Sequence, residues 1–167
     1  VPSGFGYSSS RSERDLLSTL LNDMERIEEG EEAQEGYLSF FVRHWFEMED
    51  PEAIGGLLLK IVYDDGFIAY LNGTEVARDN MGTTKRPSYR AKASNAADDP
   101  DEGIFDISEF KSFLVSGENL LAIELHNDEY TSSDAILVPE LIARDYLPGY
   151  EHLRIHDVDA LQQLIHA

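Results

Sequence analysis

The residues whose types could do chemistry fall into four groups. Asp64-Asp65-Gly66 sets two carboxylates side by side. Adjacent carboxylates can serve calcium, but calcium gathers about six to eight oxygens at once. Two neighbours supply two ligands at best, and the dense D-x-[DN]-x-[DN]-G loop is absent. An Asp beside a Gly is also an ordinary turn former. The pair therefore stands first as a corner and second as a calcium or hydrogen-bonding site. The histidines are His44, His126, His152, His156 and His166. None has His-x-His or His-Glu-x-x-His spacing, and a zinc site would need ligands converging from distant segments. Ser132-Ser133-Asp134 lacks the Gly-x-Ser-x-Gly elbow and the strand–turn–helix setting of a hydrolase nucleophile. The last group is aromatic: Trp45, and Tyr130 in a polar loop.

The elements that must position these residues read as strands. Tyr37–Met48 is predicted as one long strand. Val42, Phe46 and Met48, with His44 among them, fall on one face; Phe41, Arg43, Trp45 and Glu47 fall on the other. An outward Trp45 has two uses. It can lie beneath a neighbouring helix, which ranks first, or stack on the C–H face of a sugar ring. Leu57–Tyr63 is a second strand. Asp65-Gly66 and Asn72-Gly73 are hairpin signals, so 57–63, 67–71 and 74–78 are predicted to meander. A long polar stretch, 79–101, follows, with a short strand expected at Ser88–Ala93. Strands at 104–107, 119–127 and 134–146 complete the set, with Pro139 marking an edge or a bulge. That makes about seven or eight strands at sandwich spacing.

Helices are expected only at the margins. Leu16, Leu17, Leu20, Leu21, Met24 and Ile27 recur at helical spacing, predicting an amphipathic helix over 12–29. A short helix over 157–165 has Asp157 as its N-cap. The organisation is one domain, 1–167: a helical insertion at 12–29, a sandwich at 37–146, and a helical extension at 150–167.

Composition sets the outer limits. The 167 residues leave room for a real core and include no cysteine, excluding disulfides and thiol catalysis. The net charge of −20 opposes nucleic-acid backbones and anionic lipid. It is compatible with calcium, cationic partners or a neutral ligand such as a sugar, and also with plain solubility. No run of eighteen apolar residues is present. The sequence begins at Val1 and reads as a piece of something longer.

Several segments together have a family look. "YDDGFIAYLNGTEVARDNM", "GENLLAIELHN" and "TSSDAILVPEL" arrive in order, preceded by "FVRHWFEMEDP" and "PSGFGY". This resembles a galactose-binding-like jelly-roll module of large exported bacterial proteins of planctomycete type. The resemblance implies an all-β antiparallel sandwich, a non-catalytic accessory role beside other domains, and an extracellular or cell-envelope location. Glycan binding is the leading activity it implies, with Trp45, His126, Asn127 and Tyr130 as candidate contacts to a polysaccharide or glycoconjugate. A structural calcium is implied at fold level only, with Asp64, Asp65 and Asp134 as its candidate ligands. The alternative is a structural or protein–protein interaction domain without a small ligand.

Overall fold

The computed structural model describes residues 4–24, 36–97 and 100–145. Among these residues nine strands form two sheets. The first holds β1 (Gly4–Ser8), β2 (Leu17–Leu20), β4 (Ile54–Asp64), β7 (Asp101–Asp106) and β9 (Asp134–Asp145), in the order β2-β1-β9-β4-β7. The second holds β3 (Ser39–Met48), β5 (Gly66–Leu71), β6 (Thr74–Asp79) and β8 (Gly117–His126), in the order β3-β8-β5-β6. Every pairing is antiparallel except β1 with β2. The fold is an all-β sandwich.

Strand alternation builds the core. Leu57, Leu59, Ile61 and Tyr63 point inward from β4; Leu121, Ile123 and Leu125 do so from β8, and Phe67, Ala69 and Leu71 from β5. The edge strand β3 adds Phe40, Val42, Phe46 and Met48. Burying ten or so such side chains is worth about 1.5–3 kcal/mol each before the entropy of ordering is charged against it. His44 shares the inward parity of β3 yet lies exposed on this edge strand.

The turn signals divide in their outcome. Asn72-Gly73 is a two-residue hairpin joining Leu71 to Thr74, with φ of 49° and 83°. Both values lie in the left-handed region that Asn and Gly tolerate best. Asp64-Asp65-Gly66 is no hairpin, and the expected three-strand meander does not form. Here β4 ends in one sheet and β5 begins in the other. The chain changes layers at a corner, and both aspartates are buried there, 1% exposed each.

The helix expected over 12–29 is also corrected. Arg11–Arg14 is a single helical turn, α1, after which Leu17–Leu20 runs parallel to β1. One side of β1 is paired with β9, and its other side would present unpaired backbone groups. Pairing Leu17–Leu20 there satisfies them. The approach is close: a Cβ on Gly4 would stand 2.0 Å from the Leu16 carbonyl oxygen. The periodic apolar residues therefore part company. Met24 is fully buried and Leu21 packs on the core, while Leu16 and Leu20 stay exposed. No helix covers Trp45 among the described residues.

Pro139 sits in β9, which is central, opposite Ile61 of β4. Among the described residues, pairing of β9 with β1 stops at Leu137, short of Pro139, which has no N–H to offer. The strand expected at Ser88–Ala93 is absent; 80–97 is a loop packed over the outer face of the second sheet. Met81 and Ala93 close on Ile68 of β5. The helix expected over 157–165 lies outside the described residues.

Candidate functional site

Two regions gather the chemistry. The first is the acidic corner. Asp65 spends both carboxylate oxygens on backbone amides: Oδ1 accepts from Ala97 N–H at 2.7 Å and Oδ2 from Asp128 N–H at 2.8 Å. Its carbonyl accepts from Asn80 Nδ2 at 3.0 Å. One residue thereby ties together the corner, the 80–97 loop and the loop after β8. Asp64 is different: neither of its buried oxygens has a hydrogen-bond partner. Burial pushes its carboxyl up to about 8, reinforced by the charges of Asp65 and Asp134, and lastly of Glu13 in α1. Asp134 is pushed up as well, by burial and then by Glu13.

This arrangement offers calcium few free oxygens. Asp65 is fully committed to amides, and Ser132 and Ser133 hydroxyls lie at the Asp134 Oδ1 atom. Among the described residues no group of three or more His, Asp or Glu side chains has the geometry to hold a metal ion. The corner fits a retained proton better than a divalent cation. Thermal unfolding is therefore expected to give the same midpoint in millimolar calcium and in chelator. An upward shift in calcium would place a cation between Asp64 and Asp134 instead.

The second region is the outer face of the second sheet. Register places Phe41 opposite Glu124, Arg43 opposite Ala122, and Trp45 opposite Leu120. Ile68 and Tyr70 continue the first two rows on β5. A cleft of about 230 Å³ opens here, walled by Phe41 and Arg43 on one side and by Arg86 and Pro87 of the loop on the other. Tyr70 and Glu124 also line it. Trp45 is the next outward residue beyond Arg43, roughly 7 Å further along the strand at ~3.4 Å per residue. Trp45 is 60% exposed and Phe41 48% exposed.

Glu124 is held rigidly at this face. Its Oε1 accepts from the Tyr70 hydroxyl at 2.6 Å, and its Oε2 lies 3.6 Å from His126 Nε2. Because the Ala91 carbonyl can only accept, His126 Nδ1 donates to it, at 2.9 Å. Burial pushes the Glu124 carboxyl up, but His126 close beside it, the hydrogen bond from the Tyr70 hydroxyl and the Arg78 charge outweigh it and hold the group below its ordinary value. Glu124 is thus a fixed anion. Burial, then the hydrogen bond to Glu124, raises Tyr70 in turn, so its hydroxyl keeps its proton.

The candidate contacts read from sequence separate on this scaffold. Trp45 is on the open face. His126 is wholly buried between Glu124 and the 80–97 loop. Asn127 is buried as well; its Nδ2 donates to the Tyr7 hydroxyl at 3.0 Å, while its carbonyl accepts from Ala93 N–H. Tyr130 is half-buried in the loop after β8. Sequence alternation already set Phe41, Arg43 and Trp45 on one face. Arg86 and Pro87 carried no such signal, since a loop's path is not periodic.

No protein-family model and no curated protein matches the chain. Among solved structures it is similar to an α-L-rhamnosidase from Aspergillus terreus, with 15% identity, a TM-score of 0.42, and coverage of 69% of this chain and 13% of that one. An α-L-rhamnosidase from Dictyoglumus thermophilum gives 18% identity and a TM-score of 0.43, covering 65% and 11%. A β-D-mannosidase from Dictyoglomus thermophilum gives 20% identity and a TM-score of 0.34, covering 53% and 9%. The chain therefore spans about a tenth of the length of each of these glycosidase chains.

Proposed function

We propose that this chain is a non-catalytic glycan-binding module that serves a larger, exported protein. The observation that carries the proposal is the outward row Phe41, Arg43 and Trp45 beside a concave cleft that Tyr70 and Glu124 also line. Aromatic faces offer sugar rings an apolar platform, and fixed polar groups set orientation. The cleft is smaller than the usual ~300–1,000 Å³ of an enclosing ligand site. It suits one unit of a longer chain, with the flanking units lying across the sheet. The non-catalytic half of the proposal is supported by the lining. Glycosidases work with a pair of carboxylates across the scissile bond, and among the described residues Glu124 is the only carboxylate lining this cleft. That carboxylate is already engaged by Tyr70 and His126. Arginines break up the exposed aromatics, which counts against a continuous apolar protein-docking patch.

Affinity electrophoresis over a panel of neutral and acidic polysaccharides tests this. At least one should retard the wild-type chain, and Trp45→Ala should weaken that retardation tenfold or more. Because the indole is exposed, the same substitution should leave the unfolding midpoint within about 0.5 kcal/mol of wild type. Retardation by none of the panel would remove the proposal.

A further inference from the structure

We propose that the cleft recognises an acidic sugar, taking the carboxylate of a uronate-containing glycan between Arg43 and Arg86. The inference rests on the glycan-binding reading above and names its ligand class. Three observations carry it. Arg43 and Arg86 line the same cleft, and among the described residues neither guanidinium has a hydrogen-bond or ion-pair partner. Arg78, close by on β6, shows the contrast: its Nε and Nη2 are clamped by Glu75 at 2.6 and 2.9 Å. The chain is rich in carboxylates, yet none among the described residues pairs with either arginine.

The second observation is backbone. Arg86 has a φ of 52°, in the left-handed region, directly before Pro87. A branchless glycine would take that conformation without penalty, so an arginine there is held against local preference and aimed by the loop. The loop itself is tied down on both sides of it, by Ser39 Oγ donating to the Tyr89 carbonyl at 2.8 Å and by the Arg78 guanidinium on the Gly82 carbonyl at 2.8 Å.

The third is charge. Two arginines against the single Glu124 leave the lining one net positive charge, on a chain of net charge −20. At physiological ionic strength the Debye length is about 8 Å, so distant carboxylates are screened and the cleft's own charges decide. A carboxylate matches the planar guanidinium fork with two parallel hydrogen bonds. Sulfate esters share the anionic chemistry but not that planar match.

The test titrates the full chain with polygalacturonate and alginate fragments, with the methyl-esterified or carboxyl-reduced forms of the same chains, with dextran sulfate, and with neutral mannan and xylan. The expected result is binding of at least one uronan, weakened tenfold or more when its carboxylates are esterified or reduced. Arg43→Gln and Arg86→Gly should each lower uronan affinity at least tenfold. Arg86→Gly should also leave the unfolding midpoint unchanged or raised, which separates lost recognition from lost fold. Binding of a neutral polysaccharide with no preference for any uronan would overturn this inference and leave the glycan-binding reading standing. Dextran sulfate binding as tightly as the best uronan would overturn the carboxylate assignment. Binding of nothing in the panel would overturn both.

Discussion

Asp65→Ala is expected to destabilise the fold by about 2–4 kcal/mol. The carboxylate satisfies the Ala97 and Asp128 amides, which no other group among the described residues reaches. Leaving a donor without a partner costs about 1–3 kcal/mol when it is buried, and here there are two, both part-buried. Part of this is offset, because Asp64 loses a like charge at its side. Chemical denaturation of the two chains measures the difference; a loss under 1 kcal/mol would mean that the corner is held by something else. The same substitution frees the 80–97 loop from one of its anchors, so it should also weaken whatever binds between Arg43 and Arg86. Asp65→Asn is no rescue, because one of the two amides would then meet an N–H group.

The second large effect is a dependence on pH centred on Asp64. Its folded-state carboxyl is raised, by burial first and then by Asp65 and Asp134, so the folded chain holds a proton that the unfolded chain has released above about pH 4. Stability is then fully present below the ordinary aspartate value and is lost as the pH rises towards about 8. The loss from this group is on the order of 3–5 kcal/mol. Asp134, raised by burial and by Glu13, adds to it in the lower half of that window. The five histidines have an ordinary value of about 6.5, so the corner is read by comparing unfolding midpoints between pH 6 and 9 in the wild type and in Asp64→Asn. They should fall steadily in the wild type and much less in Asp64→Asn. Equal slopes in the two chains, or no slope in either, would contradict this account of the corner.

How much of this could be read from sequence depends on how local the cause is. The Asn72-Gly73 hairpin was legible because two adjacent residues determine a left-handed turn. The Leu121, Ile123 and Leu125 face was legible because alternation is a property of the strand itself. Asp64-Asp65-Gly66 was not legible as a layer change. A hairpin and a sheet switch use the same residues, and only the partners of β4 and β5 distinguish them. The 12–29 helix was misread for a similar reason. Of the apolar residues at helical spacing, Leu17 and Leu20 went to an edge strand while Leu21 and Met24 turned to the core, because β1 had an open side to fill. At the cleft, the Phe41, Arg43 and Trp45 face was visible in the alternation of β3. The opposite wall was not, since Arg86 arrives from an irregular loop. His126 and Asn127 sit next to the region that matters, but their side chains are spent inside, holding Glu124, Tyr7 and the loop in place.

The most direct test of the central claim is to map where an oligosaccharide touches. Isotope-labelled chain would be titrated with fractionated oligouronides and, in parallel, with neutral oligosaccharides, while backbone amide and Trp45 indole N–H shifts are followed. The predicted result is a compact set of perturbations at residues 41–45, 70–73, 86–87 and 122–124, with the indole among the largest. Silence with every sugar, or shifts gathered at the loop after β8 instead, would contradict it.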